Sequence, residues 1–291
     1  MRCPYKRNTY IRLPHPACLH ISAAAPPPRQ PHPSVVHHPP PLTSIVGYLG
    51  NDMNSKGFTM SAGSFAAVSA ANGSCTLADF TVSGYDVPVW NEDDEEYEGG
   101  CAGEFNVQFL SSSGTTEATY KWYDNGEKAA GWYNNDGSAI EGGASSVVIE
   151  AGKAIWIQGR GYKLTSAGAV NENDIVYATR SKGFSSVGNA TPINLTLGQL
   201  AVSGYDAPVW NEDDEEYEGG CAGEFNVQFL TSSGTTETTY KWYDNGEKAP
   251  GWYNNDGSSI DGGATTVAVP AGKGLWIQGR GYTIRIPAPE L

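Results

Sequence analysis

Residues 104–109 read Glu-Phe-Asn-Val-Gln-Phe. Phe105, Val107 and Phe109 fall on one side of an extended chain, with Glu104, Asn106 and Gln108 on the other. That period of two is the pattern of a half-buried β-strand. Working outward, residues 116–123 and 128–133 flank Asp124-Asn125-Gly126. Asn-Gly is the strongest short hairpin signal, because the tight turns that join two strands need positive φ. Asn134-Asn135-Asp136-Gly137 marks a further turn. Residues 147–149 and 154–158 read as two more strands around Ala151-Gly152-Lys153. Glycine and aromatic residues are plentiful, and helix-favouring runs of Ala, Leu, Glu and Lys are almost absent. Turn signals this close together predict an all-β fold of antiparallel β-sandwich or jelly-roll type.

The same phrases return. Residues 81–162 reappear as 201–282 at a constant spacing of 120, as in Cys101 and Cys221. A repeat this long means two copies of one domain rather than a short-repeat solenoid. The starts match less well: Ser55-Lys56-Gly57-Phe58 corresponds to Ser181-Lys182-Gly183-Phe184 at a spacing of 126, so the first copy holds six extra residues. Ile45-Val46 and Ile175-Val176 open the two units. The expected division is a first β domain over 44–168 and a second over 171–291, with a short linker within 166–173.

Residues 1–43 differ from the rest. The tail is rich in proline, which supports neither helix nor sheet ladders, and it predicts disorder. It also contains all five histidines, His15, His20, His32, His37 and His38. It lacks the continuous apolar core of a secretory signal, and is read as an extension outside the mature protein in preference to a linker or a degenerate targeting peptide. Residues 1–51 carry five basic and no acidic residues, leaving 13 basic against 32 acidic in the remainder, a net −19. Such an acidic body repels phosphate backbones and anionic lipid, which argues against nucleic acid as partner. No stretch approaches the ~20 apolar residues of a membrane helix.

Two features carry candidate function. Glu92, Asp93, Asp94, Glu95, Glu96 and Glu98 form one acidic loop, and Glu212, Asp213, Asp214, Glu215, Glu216 and Glu218 repeat it. Hard oxygen ligands at this density suit Ca²⁺, although the spacing is not that of an EF-hand. The alternative is a solvated acidic surface or a contact for a basic partner. The second feature is aromatic. All eight tryptophans fall in the repeats, and most should be core, Trp156 and Trp276 above all. Trp122 and Trp132 lie across the Asn-Gly hairpin with Tyr120 and Tyr133, and Tyr240, Trp242, Trp252 and Tyr253 repeat them. Exposed, they would form a platform on which sugar rings stack. Buried, they are ordinary cross-strand stabilisation.

Enzymatic chemistry finds little support. Beyond residue 38 there is no histidine, which removes a Ser-His-Asp triad, a histidine-held zinc and a Cys–His nucleophile. A glycosidase needs two carboxylates, and Asp86, Glu104 and Glu117 are available without being marked as a pair. Cys75, Cys101 and Cys221 are an odd set. Cys75–Cys101 would staple one domain and Cys101–Cys221 would join two; otherwise they are free structural thiols.

Ile45-Val46-Gly47-Tyr48, Gly131-Trp132-Tyr133 with Asp136-Gly137, and the run from Ala151-Gly152-Lys153 through Tyr162, with their second copies, carry a resemblance. The chain over about 44–286 resembles a family of uncharacterised bacterial proteins built from one or two such β units and usually made with a secretion signal. The resemblance implies an extracellular or cell-surface setting and no known catalytic residues. The reading is a non-enzymatic tandem-repeat protein that binds a glycan or surface protein bivalently, for instance in adhesion, with Ca²⁺ at the acidic loops. Its rival is a structural repeat protein that self-associates. A binder should leave Trp122 and Trp132 exposed, and a structural module should bury them.

Overall fold

Strand Cys101–Leu110 is the middle of a five-stranded antiparallel sheet ordered Phe58–Ala62, Ala154–Gln158, Cys101–Leu110, Thr116–Asp124 and Gly131–Asn134. The structure, a computed structural model, describes residues 46–52, 57–62, 74–150, 152–169 and 173–290. The tail over 1–43, with its histidines, lies outside the described residues. The alternation of 104–109 does what its period demands. Phe105, Val107 and Phe109 are buried in a core with Ile155, Ile157, Trp122 and Trp132. A three-stranded sheet ordered Val46–Asp52, Lys163–Ala169 and Phe80–Ser83 closes over them, contributing Phe80, Val82 and Leu164 to the core. The result is a sandwich-like all-β unit.

The second copy repeats it. Its five-stranded sheet runs Phe184–Gly188, Gly274–Gln278, Cys221–Leu230, Thr236–Asp244 and Gly251–Asn254. Its three-stranded sheet runs Ile175–Ala178, Thr283–Ile286 and Ala201–Ser203. Phe225, Val227, Trp242, Trp252, Leu275 and Ile277 fill the matching core.

Two local readings change. Ala167-Gly168-Ala169, expected in a linker, completes the strand Lys163–Ala169 and pairs with Val46, Gly47 and Tyr48. Small side chains looked like a spacer, but a β-ladder is made by backbone, which these residues supply to the neighbouring strand. Asn171-Glu172 of that linker lies outside the described residues. Lys128 was expected in the returning strand of the hairpin, which begins instead at Gly131. The Asn125 side chain accepts from the Lys128 backbone N–H at 2.9 Å, which lengthens the connection. The Tyr97 ring lies so close to Gly126 that a Cβ there would sit 2.2 Å from it. Glycine is required at that point both for φ of +81° and for room.

Residues 43–291 form one compact unit, because the copies pack on each other. Met60, Ala154, Trp156 and Trp276 form a third buried cluster, joined by Phe58, Leu110, Phe184 and Leu230 from both copies. Backbone hydrogen bonds cross in reciprocal pairs. Phe58 N–H donates to Ser232 O at 2.7 Å, as Phe184 N–H does to Ser112 O at 2.8 Å; Ala62 N–H donates to Gly272 O at 2.8 Å, as Gly188 N–H does to Gly152 O at 2.9 Å. Each bond has its counterpart with donor and acceptor copies exchanged. That reciprocity is the signature of a two-fold, isologous interface, here within one chain. Trp156 and Trp276 are therefore buried as expected, but between the copies rather than in either sandwich core.

Candidate functional site

The acidic loop is a short two-stranded ribbon, Val89–Asn91 paired with Glu96–Glu98, and Val209–Asn211 with Glu216–Glu218 repeats it. Asn91 organises it. Its Oδ1 accepts from Asp93 N–H at 2.9 Å, and its Nδ2 donates to Asp94 at 3.0 Å and Glu98 at 2.6 Å. Asn211 makes the equivalent bonds to Asp213, Asp214 and Glu218. Glu95 and Glu215 hold φ of 54° and 53° at the turn, a conformation that non-glycine residues adopt sparingly.

The carboxylates of Glu92, Asp93, Asp94, Glu95, Glu96 and Glu98 are exposed, as are those of Glu212, Asp213, Asp214, Glu215, Glu216 and Glu218. Among the described residues no three such groups come together as a metal cluster would require. The Ca²⁺ expectation thus meets a geometry that does not gather ligands. Glu92 to Glu95 lie in the turn, and Glu96 and Glu98 on one face of the returning strand. Asp94 and Glu98 meet at Asn91 Nδ2, and among the described residues no third carboxylate joins them.

The aromatic hairpin is placed differently from the platform expectation. Trp122 and Trp132 are 7% and 6% exposed, and Trp242 and Trp252 are 9% and 5%. These four indoles are core by burial, and Trp242 and Trp252 also border an open pocket of about 380 Å³ with Tyr253 and Ile260. Trp122 and Trp132 meet edge to face with centroids 5.3 Å apart. Trp132 Nε1–H donates to Phe80 O at 3.1 Å, and Trp122 Nε1–H to Tyr85 Oη at 3.0 Å. Tyr85 in turn donates to Asp124 at 3.0 Å. In the second copy Trp242 Nε1–H, Tyr205 and Asp244 form the same chain, and burial pushes the Tyr205 hydroxyl up to about 12. Trp252 Nε1–H donates to Leu200 O at 2.8 Å, so each of these four indole N–H groups has its partner, which is what allows tryptophan inside.

The tyrosines divide. Tyr133 and Tyr253 are half-buried against Tyr123 and Tyr243, and the ammonium of Lys128 or Lys248 lies over both rings of each pair. Lys128 also donates to Gly137 O. Tyr120 borders an open pocket of about 600 Å³ with Phe109, Ile140, Glu117, Glu141 and Lys153. Tyr240 packs edge to face on Phe229 in the second copy.

The exposed aromatics lie elsewhere. Trp90 is 48% exposed and Trp210 equally so, and each meets its cross-strand neighbour Tyr97 or Tyr217 edge to face at 5.1 Å. Val87 and Val89 extend this surface, also exposed. The ribbon therefore carries an apolar strip as well as its acids. The signal was present in the sequence: after Trp90 come Asn91 and the acid run, so Tyr97 is the aromatic that a hairpin turn sets beside it.

Cys75, Cys101 and Cys221 are buried, and neither Cys75–Cys101 nor Cys101–Cys221 is bridged. Cys101 and Cys221 donate to Trp122 O and Trp242 O at 3.3 Å, and burial raises both thiols above their usual range. Less thiolate and no access mean slow chemistry. With Cys3 and Cys18 replaced by serine, the native protein should release almost no colour from a disulfide reagent at pH 8, and three equivalents once unfolded. Rapid native labelling would contradict this placement.

Comparison with protein-family models, curated proteins and solved structures finds no match to this chain.

Proposed function

We propose that this is a non-enzymatic, exported or surface-associated protein that binds bivalently, each copy presenting its ribbon to a cationic protein surface. The observation that carries the reading is the pair Trp90 and Trp210, exposed, equivalent, and each set among six exposed carboxylates. A half-exposed indole is an unusual expense for a monomeric surface, and tryptophan is the residue type most enriched where interfaces concentrate their binding energy. Surrounding acids supply steering and select basic partners. Two equal contacts on one compact unit supply avidity. Because no three of these carboxylates come together among the described residues, partner contact is the better use of them than a cation site.

The test is binding of the full chain to a sensor surface densely coated with an arginine-rich peptide that also contains leucine. Binding should weaken as salt rises. Trp90→Ala or Trp210→Ala alone should lower apparent affinity by roughly a hundredfold, the loss of bivalency. If the substitutions leave binding unchanged, the ribbons are not the contact.

The burial of Trp122 and Trp132 and the packing of copy on copy favour a second reading, a structural protein that self-associates. Sedimentation over a range of concentrations separates the two. Mass that grows with concentration supports assembly, and a constant monomer supports the binder. Among the described residues no helix is long and apolar enough to cross a membrane.

A further inference from the structure

The interface between the copies is not uniformly apolar. Beside the buried cluster it opens into a cleft of about 270 Å³ lined in matched pairs: Gln108 and Gln228, Thr116 and Thr236, Trp156 and Trp276, with leucine and glycine between them. Every lining position of one copy has its equivalent from the other, so the cleft straddles the two-fold relation and neither copy contains it alone. We propose that this cleft is a single binding site, one per chain, for a neutral oligosaccharide.

Three observations point to that chemistry. First, no charged side chain lines the cleft, although the chain has a net charge of −14. An ionic ligand would find no partner there, and a cationic one would be drawn to the ribbons instead. Second, the polar groups are held in place rather than free to rotate. Gln108 Oε1 accepts from the Thr116 hydroxyl at 2.9 Å, and its Nε2 donates to Asn106 Oδ1 at 3.1 Å. Asn106, itself buried, donates to Gln158 at 2.9 Å. The second copy repeats the chain through Thr236, Gln228, Asn226 and Gln278 at 3.0, 3.3 and 3.1 Å. A carboxamide offers two N–H donors and two acceptor lone pairs, so each glutamine keeps one donor and one lone pair, and each threonine oxygen keeps acceptor capacity. Fixed amides with spare capacity on both walls are suited to hydroxyl groups, which donate and accept at once.

Third, the remainder of the lining is apolar and aromatic. The indole rims of Trp156 and Trp276 reach under the opposite copy's loop: a Cβ at Gly234 would lie 3.0 Å from Trp156, and one at Gly114 would lie 3.4 Å from Trp276. Rims and leucines offer contact to the C–H faces of a sugar ring while the amides take its hydroxyls, the mixed lining that ligand sites show. The cleft is small, so it holds one or two sugar units of a chain that continues into solvent at either end. This site lies on different elements from the ribbons and does not depend on their role.

The test is calorimetric titration of the full chain with the pentaoses of cellulose, amylose, xylan, mannan and chitin at concentrations up to about 10 mM. At least one should bind, with one site per chain. Gln108→Leu and Gln228→Leu should each weaken it about tenfold or more, and Thr116→Val, at the exposed end of that hydrogen-bonded chain, should weaken it with little change in melting temperature. If none of the five binds, or the stoichiometry is two per chain, or Thr116→Val and both glutamine variants bind like the parent, the cleft is only the polar rim of an interface and the proposal falls.

Discussion

Replacing Trp132 by alanine should be among the most damaging single changes in this protein, while replacing Trp90 should barely register in stability. Trp132 is buried against Trp122 and Phe105, and its N–H satisfies the carbonyl of Phe80. Truncating a packed tryptophan removes its transfer energy and leaves a cavity, about 3–5 kcal/mol together. For a folded unit of this size, each kcal/mol moves the melting temperature by about 2–4 °C, so a fall of roughly 6–20 °C is expected. Trp132→Phe isolates the hydrogen bond. It keeps most of the ring but strands the Phe80 carbonyl, and should fall between parent and alanine variant. Trp90→Ala, at a half-exposed position on a ribbon, should shift stability by no more than about 0.5–1 kcal/mol. Thermal melts of the three variants decide the matter. If Trp90→Ala proved the more damaging change, the assignment of buried and displayed indoles would be reversed.

The second large effect concerns a place where the copies meet their own equivalents. Ala62 and Gly188 occupy matching positions in the first strands of the two five-stranded sheets, spaced 126 apart like the residues around them. In the structure they touch. A Cβ on Gly188 would lie 2.4 Å from Ala62 Cα and 2.5 Å from Ala62 Cβ. The interface is therefore built from one methyl and one hydrogen, not two of either. Gly188→Ala should destabilise the protein by about 1–3 kcal/mol through overpacking. The exchange variant, Ala62→Gly with Gly188→Ala, removes the methyl at 2.5 Å but keeps the 2.4 Å approach to the Cα of residue 62, so it should recover only part of the loss, a coupling of about 0.5–3 kcal/mol. Simple addition of the two single effects would mean that the contact is not tight. Met60 shows the same division of roles. It fills the space over Gly274, where a Cβ would meet its Cγ at 2.3 Å, whereas its equivalent in the second copy is Ser186. Two first copies would collide here and two second copies would leave a void, so the fit is between unlike copies of one chain.

Much of the fold was legible in short phrases. The alternation over 104–109, the glycine-bearing turns and the strand over 154–158 all act locally, through backbone geometry and the two faces of one strand, and the strands appear where those signals put them. The acidic ribbon was legible as a charge run, but not the direction of its carboxylates. The aromatic hairpin stayed open between platform and core because a cross-strand pair of tryptophans looks the same on paper whether its face meets water or a second sheet. What buries Trp122 and Trp132 is the core around Phe80 and Phe105, and Phe80 lies 52 residues from Trp132 in the chain.

By itself, then, the sequence determined an all-β chain, its duplication and the position of most strands and turns, because those follow from period, turn chemistry and self-similarity within a few residues. Tertiary structure alone decided which tryptophans are core and which are displayed, that Trp156 and Trp276 belong to the space between the copies, and that Gln108 and Gln228 face one cleft. Those outcomes depend on which sheet face is covered by a partner distant in sequence, and period two assigns residues to faces without saying what will cover either one.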